Sequence, residues 1–117
     1  MKLQIICVAY SRPTELEVLC KSFQLQSIND WVLHVVYDGP APDSIINIMN
    51  PILKDSRIHF YQSPERYQNY GHPNRKTMLQ ALKCDPRDYI LMTNDDNYHI
   101  AKSVEYILDV AKWNIGI

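Results

Sequence analysis

Glycine is scarce in this chain: of 117 residues only Gly39, Gly71 and Gly116 lack a side chain. Neither G-x-G-x-x-G nor G-x-x-x-x-G-K-[ST] occurs, which removes the glycine-rich loops that cradle dinucleotides and P-loop nucleotides. A G-x-S-x-G nucleophile elbow is absent as well. No sign of charge dominates, because 12 basic and 13 acidic side chains leave a formal net charge of −1. That balance gives no long-range field to draw in nucleic acid or an anionic membrane. A phosphate-bearing ligand must therefore be held by a local site. No apolar run approaches the ~18 residues that span a bilayer. The short run after Met1-Lys2 is interrupted by Gln4 and leads straight into a turn, so it reads as a buried strand, not a secretory leader. A soluble, cytoplasmic protein is expected. Cysteine is sparse too: Cys7, Cys20 and Cys84 include no C-x-x-C pair. With the four scattered histidines they make no zinc-site spacing, and reduced, packed thiols are expected.

What is present is alternation. Residues 3–10 form an apolar, β-branched run, as expected of a strand buried on both faces. Ser11-Arg12-Pro13 breaks it, and Thr14-x-x-Glu17 has the form of a capping box opening a helix. Leu16, Leu19, Cys20 and Phe23 fall on one stripe of that helix, which ends at the polar Gln24, Gln26 and Ser27. Residues 31–37 form a second strand, stopped by Asp38-Gly39-Pro40, and a second helix covers about 43–54. A third strand at 57–62 is followed by a polar, tyrosine-rich loop over 63–72. That loop exceeds the roughly 4–6 residues usual between packed elements, and long loops tend to carry function. Pro73 suits the first turn of a third helix. A fourth strand at 89–92 runs into Thr93-Asn94-Asp95-Asp96-Asn97, a fourth helix follows over 100–113, and residues 114–117 begin a further strand. The order β-α-β-α-β-α-β-α predicts one α/β domain, with a mainly parallel sheet and helices on both faces.

Ligands of such sheets lie outside the carboxyl ends of the strands, near the switch in strand order. The candidates are therefore Tyr10 to Arg12, Asp38, the loop after Gln62, and Asp95 to Asn97. Adjacent carboxylates at a strand end repel, and a hard divalent cation such as Mg²⁺ or Mn²⁺ relieves that repulsion. The plain alternative is a solvated Asp-Asp-Asn turn. Asp38 is either a turn carboxylate bonded to its own backbone or an acceptor for an N–H on a nucleobase edge. Tyr10 is either a rim aromatic or a stacking ring, and Arg75 and Lys76 are either a solvated helix face or cations aimed at phosphate or base. Cys84, His99 and the other histidines read as structural. A phosphoryl-accepting response regulator needs an acidic pair after the first strand, where this chain has Ala9-Tyr10-Ser11. A nucleotidyltransferase needs a glycine-rich, basic loop at the same place.

Taken in order, IICVAYSRP at 5–13, the helix ending SFQLQS, VVYDG at 35–39, IHFYQS at 58–63 and DYILMTNDDN at 88–97 resemble family 2 glycosyltransferases. Among members, ILKDSRIHFYQS and TNDDN are most similar to a bacterial spore-coat polysaccharide glycosyltransferase. The resemblance covers essentially the whole chain. It implies a Rossmann-like GT-A nucleotide-binding domain for a nucleoside diphosphate sugar, UDP-linked before TDP-linked, with an unknown acceptor such as a polysaccharide. By this resemblance Asp38 accepts the uracil N3–H and Tyr10 stacks near the base. Arg12 and Arg75 join the nucleotide site, Asp95 lies near the ribose, and Asp96, with Asp95, holds Mn²⁺ or Mg²⁺. Both Asn94-x-Asp96 and Asp95-x-Asn97 imitate the family's D-x-D. Members are inverting enzymes whose general base and acceptor groove come from a later segment of about equal size. Residues 1–117 are thus expected to be the donor-binding half, with no catalytic base of their own. The alternative is a binding or interaction module that kept the fold and lost the transferase. Pairing of two copies through the strand edge begun at Ile115, Gly116 and Ile117 is the homodimer expected.

Overall fold

The structure, a computed structural model, describes residues 2–67, 72–81, 87–94 and 103–114. Among the described residues four strands alternate with four helices: β1 (Leu3–Ala9), α1 (Pro13–Gln24), β2 (Trp31–Tyr37), α2 (Asp43–Ile52), β3 (Ile58–Gln62), α3 (His72–Ala81), β4 (Tyr89–Asn94) and α4 (Ser103–Asn114). The strands form one sheet in the order β3-β2-β1-β4, and every pairing is parallel. The expected α/β architecture is the one observed.

Strand periodicity decides which helices pack where, because alternate residues point to opposite faces. Leu3, Ile5, Cys7 and Ala9 of β1 and Trp31, Leu33, Val35 and Tyr37 of β2 face one side. There they share a buried core with Leu16, Leu19, Cys20 and Phe23 of α1, Ile45 and Met49 of α2, and Val104 and Leu108 of α4. On the opposite face Ile6 and Val36 pack beneath Met78 of α3. Helices thus cover both faces. Burying each large side chain of this set contributes about 1.5–3 kcal/mol, so β1, the most deeply covered strand, anchors the domain.

Several boundaries move. α1 begins at Pro13, one residue before Thr14, with Arg12 at the N-cap and no side-chain capping bond. Proline supplies a helical φ and needs no N–H partner, so it takes the first turn and displaces Thr14 from the capping position. Glu17 instead forms an i,i+4 pair with Lys21 at 3.2 Å. α2 stops at Ile52 just past Pro51, short of the expected Lys54, because proline removes a backbone donor from the last turn. Gln26, read as a mere terminator, is buried and bridges two helices: its Nε2 donates to the Ser22 carbonyl, and its Oε1 accepts the Val104 N–H at 3.0 Å. It thereby satisfies one of the orphan donors that open a helix. Cys7 and Cys20 are buried thiols, as expected. Burial, then the nearby Glu17 carboxylate, pushes the Cys20 thiol up to about 12, so it stays an inert packing group. Cys84, His99 and residues 115–117 lie outside the described residues. Among the described residues no helix is long and apolar enough to cross a membrane.

Register then places the site. Ala9 lies opposite Tyr37, Tyr37 opposite Gln62, and Val8 opposite Asn94. The carboxyl ends of all four strands are therefore level. Tyr10, Asp38 and Ser63, each the next residue after its strand, come to one rim.

Candidate functional site

At the end of β1 the backbone reverses through Ser11, which has φ 59. That left-handed conformation costs a non-glycine residue roughly 1–2 kcal/mol, so something must hold it. Tyr37, buried at the end of β2, supplies the hold by accepting the Ser11 N–H on its hydroxyl at 3.1 Å. The Tyr37 ring also lies 5.8 Å from the Tyr10 ring, tilted by 34°. The turn thus presents Tyr10 at the rim, 40% exposed. Arg12, also exposed, occupies the N-cap of α1, where its carbonyl takes the first helical bond from Leu16.

Asp38 is the best-organised polar group of this rim. Only 4% of it is exposed, and a buried carboxylate requires donors. Its Oδ1 accepts the backbone N–H of Tyr67 at 2.8 Å and the Asn74 side-chain amide at 3.1 Å. Its Oδ2 lies 3.8 Å from Nε of Arg66, an ionic contact longer than a hydrogen bond. Gly39 follows with φ +102, and a Cβ there would press on Cβ and the backbone N of Arg66 at 3.4 Å. The positive φ is what calls for glycine here, and the missing Cβ also eases the approach of Arg66. Ser63 closes the arrangement. Its Oγ accepts the Gly39 N–H at 2.7 Å and donates to the Glu65 carbonyl at 2.7 Å. Gln62 reaches the same turn, accepting the Ala41 N–H at 2.7 Å.

These bonds bring the loop after β3 back over the β1 and β2 ends. The Arg66 guanidinium lies over the Tyr10 ring, 3.7 Å from its centroid. Tyr10 therefore stands where a stacking ring is expected, with its face covered by a planar cation of the same chain. One side chain touches both candidate nucleoside contacts.

The sequence missed two members of this cluster. Arg66 sits in the loop singled out for its length, but nothing in its neighbours marks it over Glu65 or Tyr67. Asn74 opens α3 between Pro73 and Arg75, and it is buried while Lys76, its basic neighbour, is exposed. An uncharged amide just after a helix-opening proline was the available signal. Arg75 lies in α3, with its side chain outside the described residues. Asp95, Asp96 and Asn97 are outside them too, so the expected metal site stays a matter of chemistry: two carboxylates and an amide are hard oxygen donors that suit Mg²⁺ or Mn²⁺. β4 ends at Asn94 beside Val8 of β1, and among the described residues no three His, Cys, Asp or Glu side chains converge as a metal centre.

A second polar group is buried away from the rim. His34 of β2 is 6% exposed on the sheet face opposite the main core. The Gln4 amide donates to Asp88 Oδ2 at 3.0 Å, so its Oε1 is an acceptor, and His34 Nε2 donates to it at 2.9 Å. Nδ1 then carries the lone pair and has no partner among the described residues. Burial, reinforced by the stacked His59 ring, lowers the His34 pKa to about 4. This imidazole is a neutral structural group, as expected for the histidines.

No family model matches the sequence. The fold does have solved counterparts. Residues 1–349 of TarS from S. aureus, a glycosyltransferase, crystallised in complex with UDP, superpose with a TM-score of 0.82 at 16% identity. That match covers 97% of this chain and 32% of the TarS chain. The same TarS segment in a second crystal structure gives 0.76 at 17% identity, again over 97% and 32%. A longer TarS chain gives 0.75 at 17%, over 97% of this chain and 20% of that one. The protein therefore shares the Rossmann-like α/β fold of these glycosyltransferase structures, and it spans about a third of the shorter TarS chains. At 16–17% identity the likeness is one of fold.

Proposed function

We propose that this chain binds the nucleoside diphosphate of a sugar donor, with uracil as the base, as the donor-recognition part of an inverting glycosyltransferase. The observation that carries the reading is Asp38: a buried carboxylate held by Tyr67 and Asn74 at a level rim of parallel strands, next to an exposed aromatic ring. A carboxylate accepts and never donates, so the base edge it recognises must offer an N–H. Uracil and thymine carry one at N3, and cytosine carries a lone pair there. The fold supports the same ligand class, since a counterpart of this fold was crystallised with UDP.

In this reading Tyr10 lies against the face of the base, Asp38 accepts N3–H, and Arg12 and Arg75 serve the anionic part of the nucleotide. Asp95 lies near the ribose and Asp96, with Asp95, holds Mn²⁺ or Mg²⁺. When bound, that ion neutralises the negative charge that grows on the leaving diphosphate. Asp38 and Tyr10 orient the donor, and the sugar acceptor is an unidentified hydroxyl compound such as a polysaccharide.

Calorimetric titration tests this directly. UDP is expected to bind, more tightly with Mn²⁺ than without, and CDP to bind at least tenfold more weakly. TDP retains the N3–H and is expected to stay close to UDP. A ligand selective for the folded state also raises its stability. Absence of heat and an unchanged melting curve with UDP and Mn²⁺ together would sink the proposal.

A further inference from the structure

We infer that Arg66 occupies the base position of the ligand-free protein as an internal stand-in, and that a base enters only by displacing its guanidinium from Tyr10. The inference rests on the reading of Tyr10 and Asp38 as the nucleoside site. Two observations carry it. The guanidinium is planar and lies at 3.7 Å on the ring that a base would cover. Its Nε lies 3.8 Å from Asp38 Oδ2, the carboxylate that a base N–H would address. A planar group over the ring with an N–H donor near the carboxylate is what uracil also offers, so the two compete for one place.

The arrangement is fixed by the backbone. Tyr67, next in sequence, gives its N–H to Asp38, and Glu65, one residue before, accepts from Ser63. Gly39 leaves room for the Arg66 backbone and Cβ at 3.4 Å, where a side chain would crowd them. The Arg66 stem is thus pinned at the rim while its side chain remains 47% exposed. A long side chain with a tethered root and an exposed tip can leave Tyr10 without disturbing the loop. Competition also sharpens selection. A base that stacks on Tyr10 and satisfies Asp38 replaces both contacts of Arg66, whereas cytosine would set its N3 lone pair against the carboxylate and replace only one.

Uridine is the probe, because without phosphates it offers Arg66 no new anion to grasp. Binding is followed by NMR in the full chain. A docked side chain lowers apparent affinity by the fraction of molecules in which the site is open. For an exposed cation–π contact, Arg66→Ala is therefore expected to bind uridine about three- to fivefold more tightly than the unmodified protein. Arg66→Lys, which keeps the charge but loses the plane, is expected to fall between them. The Arg66 Hε resonance is expected to be shifted upfield by the Tyr10 ring in the free protein and to move downfield as uridine saturates the site. Equal or weaker binding by Arg66→Ala, or an Hε resonance that stays upfield at saturation, overturns the inference while leaving the nucleoside site standing. Uridine that perturbs neither Tyr10 nor the Asp38–Tyr67 amide, in either protein, overturns the site and the inference together.

Discussion

The Gly39 N–H donates to Ser63 Oγ at 2.7 Å, and this bond ties the turn after β2 to the loop after β3. Both groups are buried, so their separation is not compensated by water. Ser63→Ala leaves the Gly39 donor unsatisfied and frees the Glu65 carbonyl from its bond. An orphaned buried donor costs about 1–3 kcal/mol. The expected outcome is a loss of that size in urea unfolding, with weaker uridine binding, since the same turn carries Asp38. Unchanged stability would mean that the two loops are held by something other than this hydroxyl.

Asp38 offers a change of specificity more informative than its removal. Truncation to alanine would strip partners from Tyr67 and Asn74 together, mixing folding with binding. Asp38→Asn keeps a carbonyl oxygen for those two donors and puts an amide N–H where Oδ2 now lies. That group opposes the uracil N3–H and suits the cytosine N3 lone pair. The ratio of uridine to cytidine affinity is expected to fall at least tenfold, as measured by parallel NMR titrations. A ratio that does not move would take Asp38 out of base recognition.

Tyr37→Phe isolates the hydroxyl that restrains the turn after β1. The ring stays in the core, but the Ser11 N–H loses its acceptor at 3.1 Å while φ remains at 59. The expected cost is about 1 kcal/mol of stability, the usual net worth of one hydrogen bond. Because Tyr10 precedes that turn, the upfield shift of the Arg66 Hε resonance is expected to shrink as well. A stable variant with an undisturbed Tyr10–Arg66 stack would show that the turn holds without Tyr37.

His34 predicts an acid-sensitive fold. Its pKa is lowered from 6.5 to about 4, so the unfolded chain takes up a proton that the folded chain refuses. Stability from this group is therefore complete above pH 6.5 and declines as pH falls toward 4. The full loss is on the order of 3 kcal/mol. The His59 ring is stacked on it, and its hydrogen-bond partner Gln4 is itself held by Asp88. His34→Gln, which retains a donor for Gln4, is expected to lose less stability than the unmodified protein between pH 7 and 4.5 in paired urea curves. Equal losses would mean that His34 accepts its proton within the fold.

Local sequence determined the layout of this protein. The β-branched runs around Ile5 and Val35, the helical stripe of Leu16, Leu19, Cys20 and Phe23, and the breaks at Pro13 and Gly39 specify where each element lies, because strand and helix periods are properties of adjacent residues. The same signals put Tyr10 and Asp38 at strand ends, and with parallel strands that is the ligand side. Only the tertiary structure decided what these residues touch. The Thr14–Glu17 box was legible but lost to Pro13, since one φ angle chose the helix start. The roles of Arg66 and Asn74 were missed because they meet Asp38 from 28 and 36 positions away, through a loop whose path follows from the Gly39–Ser63 bond and not from its own composition. Spacing along a chain reports which face a residue occupies. Which partner waits across that face depends on parallel register and loop closure, and both are settled only when the whole sheet assembles.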